Sequence, residues 1–444
     1  MLLDIERMQI WQLFFWHKIL YNVYKGDTNM RYELGNMDLC ALTIVGSVME
    51  NTPYFKATLD DTVDSNRLLK AVKTALDYHP LFKCKLSYAK KKYYLEDNDG
   101  AEIVIFHADT QTRPNSYGRN TNGYLFRVCY FENTISLEWC HTVTDGRGAI
   151  RFFSTILDAY FNVALHAIPT EFPLKLGFES IYDKTVKPIG QIKQPSGFKA
   201  KDMKVVANGF KCTSHILKVE TADVLRVAKK IDATPAAILV PLFCRAVREH
   251  LPKDAKNRNV SCGIVVDCRG PAQLDTMHNF INNKVITYQD KFDDFDLPKL
   301  STIYRSILDL FVQPENIVWA CTELKDSTDG LYNLRPLFLQ KAVAKVVGKI
   351  IKRSMNNVGF TYLGRVPFSE EVKSHLNDFN FRTWTDTSDC VIAAVDLNGT
   401  LIIDVCDNYV DKGVVDSFVR ICNEFGMAIK ETETTVFEQA NLKL

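Results

Sequence analysis

Neither sign of charge prevails in this chain: 54 Lys and Arg stand against 53 Asp and Glu over 444 residues, a formal charge of +1. That balance supplies no bulk field to gather nucleic acid or an anionic membrane, so neither is expected as a partner. The twelve cysteines form no C-x-x-C pair and no Cys/His grouping at zinc-finger spacing. No metal site is expected, and the cysteines read as small apolar core residues kept reduced. No window holds the ~18 uninterrupted apolar residues of a membrane-spanning helix. The opening MLLDIERM has neither a basic leader nor a small-residue cleavage site, and a cytoplasmic location is the expectation. The stretch VVGKIIKRS lacks the first glycine and the G-K-S/T order of a phosphate-cradling loop, and no G-x-S-x-G is present, so P-loop and serine-hydrolase chemistry are set aside.

What is present is an ordinary globular composition, 46% hydrophobic and 24% charged, long enough at ~150 residues per domain for two or three domains. Residues 1–29 differ from the rest. WQLFFWHKILYNVY is aromatic and amphipathic, then KGDTN breaks it before Met30, so this extension is either a short interfacial or docking helix or upstream sequence outside the core, with translation beginning at Met30. An N-terminal module over 30–178 follows: a strand-like run Leu39 to Val48, a strand Tyr54 to Leu59, a helix from Asp64 to Tyr78 ended by His79-Pro80, then several strands. Residues 179–204 carry Pro188, Gly190, Pro195 and Gly197 among lysines with little periodicity and read as a linker. The pattern restarts over 205–444, with a helix capped by Thr221, one entered through Thr234-Pro235 and carrying Pro241, and strands at Val260 to Asp267 and in the last hundred residues. Both halves mix sheet and helix. Lys341, Lys345, Lys349, Lys352 and Arg353 recur along one stretch; a solvated helix face, coenzyme A phosphate contacts and a membrane surface are the readings open to them.

The segment TISLEWCHTVTDGRGAIRFFSTILDAYF, residues 134–161, is where chemistry is best placed. Ile135, Leu137, Trp139 and His141 share strand parity, so His141 points with the apolar face at the mouth of a loop. Thr144 or Asp145 caps the next helix, while Gly146 and Gly148 allow a tight turn. A histidine partly shielded from water keeps its pKa near neutrality and can act as general base. Asp145, four residues on, either pairs with an arginine or holds His141 Nδ1. His79, His107 and His278 have no partner spacing and read as structural.

HTVTDG at a strand end before an amphipathic helix resembles the H-x-x-x-D-G signature of condensation-domain-like acyltransferases, the superfamily of chloramphenicol acetyltransferase, and the chain looks closest to the microbial alcohol acetyltransferases. The resemblance extends to YFKATLDDTVDSNRLLKAVKTALDYHPLFKCKL, to NGYLFRVCYFENTISLEWC and more weakly to IVVDCRGPAQLDTMHNF and GFTYLGRVPF. It implies a mixed α+β fold of two chloramphenicol-acetyltransferase-like lobes, a pseudodimer with a central channel. It further implies acyl transfer from acyl-CoA, a co-substrate rather than a bound cofactor, to a small alcohol or amine, with His141 as base and no acyl-enzyme. Asp145 and Gly146 would support the site, with Arg269 of VDCRG as Asp145's partner. The D-F-G-W-G segment of the plant branch is absent, and no carrier domain is recognisable in the chain; a carrier-protein donor and a non-catalytic binding role stand as alternatives.

Overall fold

The computed structural model describes residues 31–45, 52–108, 120–165, 181–199, 211–336, 338–340, 342–344, 346–347, 356–385 and 388–438. The extension at 1–29 and the basic residues Lys341, Lys345, Lys349, Lys352 and Arg353 lie outside the described residues.

A short strand β1 (Arg31–Glu33) leads into helix α1 (Asn36–Val45). The run from Leu39 is thus helical where an extended strand was expected. Asp38 in its first turn takes the Gly35 N–H on Oδ2 at 3.1 Å, and a short unbroken apolar run has no period to separate strand from helix. Next come β2 (Tyr54–Leu59) and α2 (Ser65–Tyr78), whose Asp64 cap accepts the Asn66 and Arg67 N–H groups. After these run β3 (Cys84–Ala89), β4 (Lys92–Asp97), β5 (Ile105–His107), β6 (Phe126–Phe131), β7 (Thr134–Trp139) and α3 (Gly146–Phe161). The second half opens with β8 (Lys211–Glu220), α4 (Thr221–Lys230) and α5 (Pro235–Glu249). Thr221 lies inside α4 rather than capping it, its hydroxyl donating to Asp396 Oδ2 at 2.5 Å, whereas Thr234 does cap α5, which runs on through Pro241. Then follow β9 (Val260–Asp267), α6 (Arg269–Ala272), β10 (Ile281–Tyr288), α7 (Leu297–Phe311), α8 (Pro314–Tyr332) and β11 (Val358–Arg365). The chain closes with α9 (Glu370–Ser374), β12 (Leu376–Arg382), β13 (Cys390–Leu397), β14 (Thr400–Asp407), α10 (Gly413–Glu424) and β15 (Lys430–Glu438).

The fold is mixed α+β, and the described strands form three sheets: β1-β4-β3, β12-β2-β7-β6-β5 and β10-β9-β11-β13-β14-β8-β15. Two large apolar cores result, one binding α2 and α3 to the five-stranded sheet through Phe55, Phe82, Trp139, Phe152 and Phe153, the other burying α5 against the seven-stranded sheet. Strand β7 lies between β2 and β6, and every residue from Ile135 to Cys140 is buried. Its polar parity is therefore covered too, and Glu138 is held there by Arg127 through Nε to Oε2 at 2.6 Å and Nη2 to Oε1 at 3.1 Å. Residues 182–199 carry neither strand nor α-helix and lie along the second half, where Asn316 brackets Ile189 by bonds of 2.8 and 3.0 Å and Phe198 N–H donates to Asn259 O.

Ten cysteines are free thiols, nine of them buried, but Cys212 and Cys406 form a disulfide where reduced residues were expected throughout. Paired strands β8 and β14 bring their Cα atoms to 6.4 Å, within disulfide reach. Among the described residues no helix is long and apolar enough to cross a membrane.

Candidate active site

After β7 the chain turns sharply, Cys140 N–H bonding Leu125 O at 2.8 Å and Val143 N–H closing back on Cys140 O at 3.0 Å. His141 sits in this turn. Four residues on, Asp145 caps α3, its Oδ1 accepting the Arg147 N–H at 3.0 Å and the Gly148 N–H at 3.1 Å. Arg269 Nη2 bonds both carboxylate oxygens, at 3.0 and 2.9 Å, and Phe280 N–H donates to Oδ2 at 2.8 Å. The carboxylate is wholly buried and its acceptor positions are taken. Of the two partners the motif left open for Asp145, the geometry thus brings Arg269 to it and none of its bonds reaches His141.

Arg269 is itself spread over several acceptors: Asp267 Oδ1 at 3.0 Å, Thr276 O at 2.9 Å and His278 O at 2.7 Å. Thr144 Oγ1 donates to Met277 O at 2.5 Å. One short segment, Thr276 to Phe280, therefore templates the whole loop that carries H-x-x-x-D. The glycines do so by absence. Neither Gly146 nor Gly148 has a positive φ, so a tight left-handed turn is not their use. A Cβ on Gly148 would lie 1.9 Å from Thr144 Oγ1 and 2.5 Å from Met277 O, and one on Gly146 would lie 3.1 Å from Leu363.

His141 is only partly buried, and its Nδ1 lies 3.0 Å from Asn279 Oδ1. Burial lowers its pKa below the usual histidine value, while Asp145's charge and the bonds to the ring pull the other way. The net downward shift favours the neutral ring, the form that accepts a proton. Asn279 Nδ2 in turn donates to Asp38 Oδ1 at 2.7 Å and to His141 O at 2.8 Å. Neither Asn279 nor Asp38 was singled out from sequence. Asn279 stands within the stretch DTMHNF that carries part of the resemblance, but no spacing relates it to His141, and Asp38 lies in the run that reads as a strand.

Beside the loop, a cleft of about 520 Å³ opens between the first turns of α3 and residues 267–275, lined by Arg147, Arg151, Asp267, Arg269, Gln273 and Pro367 among others. Its arginines face carboxylates, Arg147 to Asp267 at 3.4 Å and Arg151 to Asp275 at 2.5 Å. Among the described residues no group of three His, Cys, Asp or Glu side chains is placed to hold a metal ion.

No family model matches the chain, and no curated protein sequence matches it. Solved structures do. Polyketide synthase associated protein 5 from Mycobacterium tuberculosis shares the fold with a TM-score of 0.61 at 12% identity, over 89% of this chain and 99% of that one. TRI101 of F. graminearum, complexed with coenzyme A and T-2 mycotoxin, gives 0.58 at 9% identity over 89% and 98%. The epimerization domain from the third module of tyrocidine synthetase B gives 0.58 at 15% identity over 90% and 97%. The likeness is one of fold, shared also with the condensation domain from Monacolin K polyketide synthase MokA (TM-score 0.56 at 12% identity, over 90% of this chain and 97% of that one), and it is the condensation-domain-like fold that HTVTDG and its flanking segments imply.

Proposed function

We propose that the chain is an acyltransferase that moves an acyl group, acetyl in the simplest case, from acyl-CoA to an alcohol. The observation that carries this reading is the division of labour in the loop. Asp145 is fully engaged with three backbone N–H groups and the Arg269 guanidinium, while His141, partly exposed and with one ring nitrogen anchored, keeps the other for chemistry. In the proposed step the imidazole takes the proton of the acceptor hydroxyl as its oxygen attacks the thioester carbonyl. The C–S bond then breaks, and the departing thiolate takes that proton back from the imidazolium, giving ester and free thiol with no acyl-enzyme. Asp145, Gly146 and Arg269 would act only by fixing the loop. Residues 30–178 and 205–444 are read as two lobes of a pseudodimer flanking a channel, joined by 179–204, with donor and acceptor entering from opposite faces. Coenzyme A in the TRI101 complex supports a CoA thioester as donor.

The likeness to a condensation domain supports a second reading, a carrier-protein thioester as donor or an amine as acceptor. Thiol release from acetyl-CoA and longer acyl-CoAs against a panel of alcohols and amines tests both. His141→Ala is expected to lower acceptor-dependent release by ~10² to 10⁴, the usual contribution of a general base; wild-type rates in that variant would sink the proposal. Release only from a loaded carrier would select the second reading, and binding without turnover on any donor would favour a non-catalytic protein.

A further inference from the structure

A neutral imidazole carries its proton on one of two nitrogens, and the one left bare is the base. The neighbours of His141 leave only one choice. Asn279 Nδ2 faces two oxygens, Asp38 Oδ1 at 2.7 Å and the His141 carbonyl at 2.8 Å. A backbone carbonyl never donates, so the amide nitrogen must occupy that side and the amide oxygen must face the ring. That oxygen lies 3.0 Å from His141 Nδ1 and can only accept, which puts the proton on Nδ1 and the lone pair on Nε2. Asp38 is buried and held from its other oxygen by Gly35 N–H, and Asn279 is buried as well. The amide is thus gripped at both ends.

We infer that Asn279, locked by Asp38, is the positioning residue that fixes His141 in its Nδ1–H tautomer and leaves Nε2 as the proton acceptor. The three residues come from α1, the turn after β7 and the residue pair before β10. The arrangement therefore makes the chemistry of the loop depend on a helix near the start of the described chain. Losing Asp38 removes one of the two acceptors that hold the Asn279 NH2 and leaves the His141 carbonyl as the other, so the grip on the amide, and with it the bias toward Nδ1–H, weakens without vanishing. Only the consequence for rate rests on the acyl-transfer reading; the tautomer does not.

The test uses the full chain labelled with ¹⁵N-histidine, the His141 resonances being assigned by their loss in His141→Ala. At a pH where the ring is neutral, the wild type is expected to show the Nδ1–H form. Nε2–H in the wild type would overturn the inference outright. In Asn279→Ala the Nε2–H form is expected to appear, with kcat lowered about 10- to 100-fold and KM within about twofold, the scale known for partners that orient metal-ligating imidazoles, and Asp38→Ala is expected to shift the tautomer and kcat in the same direction by less. Asp38→Asn, which keeps an oxygen toward Asn279, is expected to hold the wild-type tautomer and most of kcat. Retention of Nδ1–H in a folded Asn279→Ala protein would also refute it. A tautomer that shifts as described in a protein with no turnover on any donor would fail the acyl-transfer reading and leave this inference standing.

Discussion

His79 shows how much a single buried residue contributes. Its ring is wholly buried, Nε2 lies 2.8 Å from Thr155 Oγ1, and the edge of Phe152 closes over it at 5.9 Å. Burial first, and then the charge of Arg151, push its pKa down to about 4 from 6.5. Because the folded value lies below the unfolded one, His79 favours the folded state fully above pH 6.5. That contribution is lost as pH falls from 6.5 toward 4, by roughly 3 kcal/mol in all. Denaturant titrations at pH 7, 5.5 and 4.5 should show the decline, and His79→Gln should remove the part of it that His79 causes; identical slopes in the two proteins would refute this. At this scale the sequence was a partial guide. His141 and Asp145 stand in a motif with its own spacing, and Arg269, 124 residues from Asp145, is within reach only through the resemblance; Asp38 and Asn279 meet across 241 residues, and no local period encodes such a meeting.

Among the elements, the legible ones announce their own ends. Helices α2, α3 and α5 begin at Asp64, Asp145 and Thr234, each of which accepts backbone N–H groups as its type allows. Strands β10, β12 and β15 carry little sequence signal because INNKVITY, LNDFNFR and KETETTVFE are polar sequences. All three occupy sheet edges, where one flank need not be apolar. Helix α8 carries little signal too, its apolar and charged residues being scattered round the helix rather than gathered on one face. The start of α3 gives the prediction at this scale. Gly148→Ala inserts a methyl where Thr144 Oγ1 and the Met277 carbonyl already sit, so either the Thr144 bond or the close approach of the 276–280 segment must yield. A loss of about 1 to 3 kcal/mol is expected, as in overpacked cores, read as a lower denaturation midpoint, whereas Gly270→Ala, with open space at its Cβ, should shift it far less.

Across the whole molecule, β12 belongs by sequence to the second half and by hydrogen bonding to the first. It pairs antiparallel with β2, and Phe379 and Phe381 pack on Phe55 at 5.6 and 5.2 Å. Residues 30–178 produced alone would leave that edge and those apolar surfaces bare. The fragment is expected to aggregate or bind a hydrophobic dye; a monomer that unfolds cooperatively would show that the first sheet stands without β12. The order of elements gives two halves that each mix sheet and helix, and the resemblance implies two lobes, but neither gives a sign of this exchange, since pairing between distant strands leaves no local pattern. The same strand sets a timetable at the ribosome. Asn377 bonds the Leu59 carbonyl from 318 residues further along, so at ~5–20 residues per second β2 waits roughly 15 to 60 s for its neighbour to be made. Throughout that interval the nascent first sheet presents an open edge, the template on which strands of other chains add, and in that window chaperone occupancy bears most directly on the yield of native protein.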